Sequence, residues 1–203
     1  MRTTYLLRIL LILCISLSSC KKGEKPTAIS AEKSAFSLQE ATHNIQWIAY
    51  KTSEKVPVKG VFKKISITKN GEGNSLREAI HLSEFTIPVS SLFSADNSRD
   101  FKLKKFFFGM LENTTLLEGV LALETDSTGT ASITMNALTQ TFPFQYSITD
   151  KQFQLLGALN LHDWKVEKAL DSLNSVCKEK HTGTDGIPKT WSTVDLQIQT
   201  VFK

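Results

Sequence analysis

The sequence predicts a mainly β fold, an antiparallel barrel or sandwich. From Ala41 onward apolar and polar residues alternate with period 2 over most of the chain. Turn-forming residues punctuate the alternating runs, at Lys69-Asn70-Gly71, Asp126 to Gly129 and Thr149-Asp150. Only two segments break the pattern with helical spacing. Successive strand side chains point to opposite faces, so such alternation marks strands with one face on a core and the other in water.

The strands follow in order. Ile45, Trp47 and Ala49 face one way, and Asn44, Gln46 and Tyr50 the other. Val56, Val58, Gly60 and Phe62 alternate with Pro57, Lys59 and Lys63. Further strands are expected at Ile80–Val89, Leu116–Glu124, Ala131–Leu138, Thr141–Ile148 and Gln152–Leu161. The last is the cleanest, with Val194, Leu196, Ile198, Thr200 and Phe202 against Asp195, Gln197 and Gln199. Seven or eight short strands at near-regular spacing suit a barrel or a sandwich.

The first exception, Ser98–Leu111, carries Phe101, Lys104, Lys105 and Phe108 at helical spacing and predicts a short crossover helix. The second, Asp163–Lys180, predicts a longer helix. Asp163 is a suitable N-cap, and Val166, Ala169, Leu170, Leu173 and Val176 fall on one face. Lys178, Lys180 and His181 sit near its C-terminal end, followed by Gly183.

The N-terminus has the layout of a secretory signal. Arg2 and Arg8 precede the apolar run Ile9–Leu17, which is well short of the roughly 20 residues a spanning helix needs. Leu17-Ser18-Ser19-Cys20 resembles a lipobox, where the cysteine thiolate takes up a diacylglycerol group. The expected organisation is therefore a signal peptide at 1–19, a lipidated Cys20 with a flexible tether over 20–40, and one β-barrel domain over 41–203. The signal carries two of the 24 basic residues and none of the 20 acidic ones, which takes the net charge from +4 to about +2. That near-neutral balance offers no electrostatic case for nucleic acid. Beyond Cys14 and Cys20 only Cys177 remains, so no intramolecular disulfide can brace the mature fold.

Motifs for catalysis, phosphate binding or metal binding are absent: there is no HExxH, CxxC, GxSxG, Walker loop or GxGxxG. Cys177 and His181 could share one helix face, but two further ligands or an orienting acid cannot be named, so a half-buried cysteine beside a capping histidine is the better reading. Glu78, Glu84, Asp96 and Asp100 show no spacing that singles out a catalytic pair. No cofactor, metal or catalytic residue is expected. The unusual feature is aromatic: twelve Phe against three Trp and three Tyr. Those rings either fill a core or line an interior that leaves room for a hydrocarbon.

Three stretches resemble the YceI-like proteins, exported lipocalin-like barrels that bind polyisoprenoid lipids. One is His43-Asn44-Ile45-Gln46-Trp47 with the V-x-G-x-F element Val58-Lys59-Gly60-Val61-Phe62. The most specific is Val89-Ser90-Ser91-Leu92-Phe93 through Arg99-Asp100-Phe101-Lys102-Leu103 to Phe106-Phe107. The third, Leu161-His162-Asp163-Trp164 to Lys189-Thr190-Trp191, is similar to a lipoprotein-type branch of that family. Two departures stand out. A strand that often carries two glycines is reduced here to Met135-Asn136-Ala137-Leu138-Thr139-Gln140, and Tyr50-Lys51 lies where a histidine is common. For Arg99-Asp100 a structural role is expected, fixing the crossover and capping its helix.

The resemblance implies an extended eight-stranded antiparallel lipocalin-like barrel with one α-helix in the C-terminal half and a short crossover helix. It implies a long isoprenoid or similar amphiphilic lipid in the lumen, carried or stored. Trp47, Phe62, Phe85 and Phe144 are expected to contact it, since each lies on an alternating segment with its ring facing inward. The protein would be held in the cell envelope by the lipid on Cys20, with the outer membrane favoured, facing the periplasm or the surface. The alternatives are a fully packed barrel serving a structural or interaction role and, with less support, a hydrolase of envelope lipids or sugars. Replacing Cys20 by Ser should abolish both lipid labelling and cleavage before residue 20, because serine cannot form the thioether. A mature N-terminus found elsewhere, without lipid, would refute the assignment.

Overall fold

The computed structural model describes residues 34–203. Cys20, the expected signal peptide and the start of the expected tether lie outside the described residues. The elements are β1 (Phe36–Ser37), β2 (Thr42–Lys51), β3 (Val56–Phe62), β4 (Ser66–Lys69), β5 (Glu72–Gly73), α1 (Leu76–Ile80), β6 (Ser83–Pro88), β7 (Leu92–Phe93), α2 (Asn97–Lys102), β8 (Leu116–Leu123), β9 (Thr128–Met135), β10 (Leu138–Thr149), β11 (Gln152–Asn160), α3 (Glu167–Val176), α4 (Lys178–His181) and β12 (Thr193–Val201). Beyond α2 the chain continues through a π-helical turn, Leu103–Phe107, and a 3-10 turn, Phe108–Met110.

Ten strands form one antiparallel sheet in the order β4-β6-β8-β9-β10-β11-β12-β2-β3-β7. Eight were expected, and the difference lies in two strands that break. β3 and β4 are successive parts of one stretch of chain, β6 and β7 of another, and the two stretches run antiparallel. Phe62 is opposite Leu92 and Ser66 is opposite Thr86, so four residues along one side match six along the other. The surplus is absorbed in the 3-10 turn Val89–Ser91, where the Lys63 amide still reaches the Ser91 carbonyl at 3.0 Å. The apparent sheet edges β4 and β7 are thus continuations of β3 and β6. The sheet closes on itself along eight paths, and closure leaves no long edge for another chain to extend.

The register defines two ends. Thr42, Thr149, Gln152 and Val201 gather at the base, and Lys51, Asn160 and Thr193 at the mouth. The fold begins ahead of Ala41, within the stretch assigned to the tether. β1 pairs with β5, Leu38 is buried, and the rings of Phe36 and Phe202 meet edge to face at 5.9 Å. His43 fixes this segment to the barrel through the Leu38 carbonyl at 2.9 Å and Thr200 Oγ1 at 3.0 Å.

Several local expectations change. The strand proposed for Ile80–Val89 starts only at Ser83, because Leu76–Ile80 form α1. Its N-terminus is a capping arrangement: Ser75 Oγ accepts from the Glu78 amide at 3.2 Å, and Glu78 Oε2 accepts from the Asn74 amide at 2.9 Å. Asn136 and Ala137, read as part of a strand, both have positive φ and turn the chain between β9 and β10. Gly129, read as a turn residue, lies within β9. Asp163 does not cap the long helix. Leu161–Trp164 form a 3-10 turn capped by Asn160, Lys165 is left-handed, and α3 starts at Glu167 with Val166 at the cap. Its apolar face has the expected phase, with Ala169, Leu170 and Leu173 buried. The Arg99-Asp100 pair is structural, although Asp96 is the residue that caps α2, accepting from the Arg99 amide at 3.0 Å. Asp100 accepts from the Ser94 amide at 2.9 Å and from its hydroxyl, while Arg99 donates to Ser94 Oγ and O at 2.8 and 2.6 Å.

Gly60 explains the V-x-G-x-F element. It sits directly opposite Trp47 in the ladder, and a Cβ placed on it would lie 2.1 Å from the indole Cζ2. Only a bare backbone lets the ring lie flat on the neighbouring strand. Gly60→Ala should cost about 2 kcal/mol of stability through overpacking. Adding Trp47→Leu should recover part of that loss in denaturant unfolding, and purely additive losses would show that the two positions do not compete for the same space.

Candidate ligand-binding lumen

All eight paths of the barrel contribute inward side chains to one apolar cavity of about 170 Å³. β2 supplies Ile45, Trp47 and Ala49, and β12 supplies Val194, Leu196 and Ile198, the sets that alternation placed on inward faces. The broken strands supply Phe62, Phe85, Ile87 and Leu92. The lid is built from two elements that pack on each other: Leu103, Phe107 and Phe108 of the crossover, and Leu170 and Leu173 of α3. Thr190 is the one non-aromatic polar residue in the lining.

Three of the four rings expected to contact a ligand border this space, namely Trp47, Phe62 and Phe85. Phe144 does not. It is 3% exposed and lies towards the base, with its ring over Gly129 and edge to face with Tyr146 at 6.2 Å. Tyr146 and Phe153 continue the stack at 5.5 Å, and the Arg77 guanidinium closes the base by donating to the Tyr146 hydroxyl and to the Thr125 carbonyl. Alternation sets whether a side chain points inward, but not its height along the barrel axis. Sequence reasoning missed the lid residues as lining, although the Phe106-Phe107-Phe108 run and the apolar stripe of α3 were visible signals.

A second compartment of about 180 Å³ continues the first towards the mouth, sharing Trp47, Ala49, Leu103, Leu173 and Thr190 with it. Its walls are basic: Lys51, Arg99, Lys102 and Lys180 face Asp96 alone among carboxylates. Among the described residues no carboxylate lies within ion-pair distance of these three lysines. Trp47 stands at the junction, and its Nε1–H is buried with no hydrogen-bond partner among the described residues.

Cys177 and His181 also line this mouth. Burial pushes the Cys177 thiol up, the reverse of the shift that activates a nucleophile. His181 Nδ1 is 2.8 Å from Thr190 Oγ1 and 3.3 Å from Asn174 Oδ1, so the ring ties α4 to the segment before β12. Burial, with Lys51 and Lys102 adding to it, holds its pKa down at about 4.

No protein-family model matches the chain, and no curated protein matches it in sequence. Solved structures do match it in three dimensions. A polyisoprenoid-binding domain from Saccharophagus degradans, implicated in plant cell wall breakdown, superposes with a TM-score of 0.59 at 10% identity, covering 84% of this chain and 98% of that one. BcnA of Burkholderia cenocepacia gives 0.51 at 16% identity over 78% and 95% of the two chains. A variant of the Campylobacter jejuni YceI protein gives 0.50 at 19% identity over 72% and 85%. The fold is that of the YceI-like proteins. At these identities the likeness is one of architecture, and the YceI-like barrel is what the lumen, lid and mouth are built on.

The His181 shift has a consequence for stability. The unfolded chain binds a proton near the ordinary histidine pKa of 6.5, whereas the folded chain binds it only near 4. Stability should therefore fall as pH drops through that window. His181→Asn should flatten the decline between about pH 6.5 and 5, measured as melting temperature. An unchanged slope would show that the ring titrates normally.

Proposed function

We propose that this chain is a YceI-like binding protein that takes up one long apolar chain, of isoprenoid type, for carriage or storage in the cell envelope. The observation that carries this reading is the apolar cavity under the lid. A dry cavity of this size costs on the order of 4 kcal/mol when empty, at about 24 cal/mol per Å³. Water would find few polar partners in it. A flexible hydrocarbon fills irregular space between rings and gains roughly 0.8 kcal/mol for each CH₂ buried. The same cavity argues against the fully packed barrel, and nothing in its lining resembles a hydrolytic site.

The polarity gradient suits an amphiphile, with the tail in the lumen and the polar end in the basic mouth. Anchoring through Cys20 and residence at the outer membrane, facing the periplasm or the surface, complete the proposal. They rest on the lipobox resemblance and the apolar run before it.

Ala49 lines both compartments, so Ala49→Trp should plug the neck. Affinity for a long polyprenol should fall about tenfold or more, the loss expected from excluding two or more methylenes. Native mass spectrometry of the purified full chain after incubation with the lipid reads this directly. Equal uptake by variant and parent would place the ligand elsewhere, and no uptake by the parent would remove the binding reading.

A further inference from the structure

The crossover segment has a second face. Its inner residues Leu103, Phe107 and Phe108 line the lumen, whereas Phe101 is 57% exposed and Met110 54%. An exposed phenylalanine ring of that degree is a large apolar group left in water. The rings of Phe101 and Phe106, five residues apart across the π-helical turn, meet edge to face at 6.2 Å, and the Lys105 ammonium stands 5.4 Å from each. Alongside runs an open groove of about 530 Å³, lined by Lys63, Lys64 and Lys104 beside Phe93 and Phe101. Its one carboxylate, Asp100, is buried and taken up by Ser94. From Phe101 to Leu111 the chain carries three lysines and no acid.

We propose that this outer face docks the barrel onto an anionic lipid bilayer, with Phe101 and Met110 entering the interface and Lys63, Lys64, Lys104 and Lys105 over the lipid phosphates. Charge complementarity selects this occupant. Aromatic rings settle at the headgroup level, lysines snorkel beside them, and each basic group near an anionic surface adds attraction that salt screens. The wall that contacts the bilayer is then also a wall of the lumen, which sets an apolar cargo one helix away from its source. The docking itself is independent of what the lumen holds.

Photo-crosslinking tests it. The full chain is mixed with vesicles of phosphatidylcholine alone, or of phosphatidylcholine with about one third phosphatidylglycerol, each doped with a diazirine phospholipid, and adducts are mapped by mass spectrometry. Adducts are expected within residues 101–111 on the anionic vesicles. They should fall about fivefold or more on neutral vesicles, in high salt, and when Lys63, Lys64, Lys104 and Lys105 are replaced by Gln. The variant Phe101→Ser with Met110→Ser should lose them while staying folded, its melting temperature lowered by no more than a few degrees through loss of the Phe106 ring contact. Adducts spread over the barrel strands with none at 101–111 would overturn the proposal, as would equal labelling on both vesicle types. A dimer in vesicle-free solution that Phe101→Ser dissolves would also overturn it, by making a second copy the occupant.

Discussion

Closure of this barrel depends on two strands that cannot stay regular. An eight-path sheet curls shut only if its last pair meets in register, and here that pair is β3–β4 against β6–β7. The mismatch of four residues against six is resolved by coiling the surplus into Val89–Ser91, where Ser91 Oγ donates to the Pro88 carbonyl at 2.7 Å. The bend redirects the chain so that Leu92 still faces inward and Phe93 outward, under the Lys63 ammonium at 3.3 Å. The segment that follows leaves the sheet immediately, and the Ser94–Arg99–Asp100 network fixes its departure across the mouth. The lid is thus a consequence of how the barrel closes.

The position of the lumen follows from where rings meet glycines. Three rings lie on glycines directly across the ladder: Trp47 on Gly60, Phe85 on Gly119 and Phe144 on Gly129, with Gly157 opposite Phe144 on its other side. A ring lying on bare backbone spreads along the wall and leaves the axis open. Trp47 and Phe85 do this beside the cavity, and Phe85 also borders a smaller apolar space of about 50 Å³ towards the base. Near the base Phe144 is met by Tyr146 and Phe153, and α1 with Arg77 seals the end, so the same device produces a packed plug there. The difference is local ring density against a fixed circumference, since a barrel of this strand number is poised between filled and hollow.

Much of this was legible in the residues because strand periodicity is local information. The inward sets of β2 and β12, the phase of α3 and the crossover were all readable from spacing alone. The breaks were not. A strand that changes partner in mid-course reads as one alternating run, and only the three-dimensional register reveals the change. Two local signals were present and outweighed: Ser75-x-x-Glu78 is a capping box, and Asn136 tolerates the left-handed turn it makes. The reading of Met135–Gln140 as a degenerate strand shows why, because apolar residues flanking a tight turn continue the alternation across it. The basic mouth was invisible for a different reason. Lys51, the Arg99–Lys102 turn and Lys180 are far apart in sequence, and only closure and the lid bring them together.

The crossover segment carries the most competing demands, and its geometry answers them. A regular α-helix repeats every 3.6 residues, which would not bring residues five apart onto one face. The π-helical turn over Leu103–Phe107 widens the spiral, lets Phe101 and Phe106 meet outside, and keeps Leu103 and Phe107 inside. π-Helical turns use poorer backbone geometry and persist where tertiary contacts favour them. Here the inner contacts are extensive: Phe107 and Phe108 pack edge to face at 5.0 Å, and Phe108 meets Phe62 at 6.4 Å. Packing therefore sets the inner face of the lid. The outer rings and lysines are not required by that packing, and their exposure is a property of the surface and what it meets.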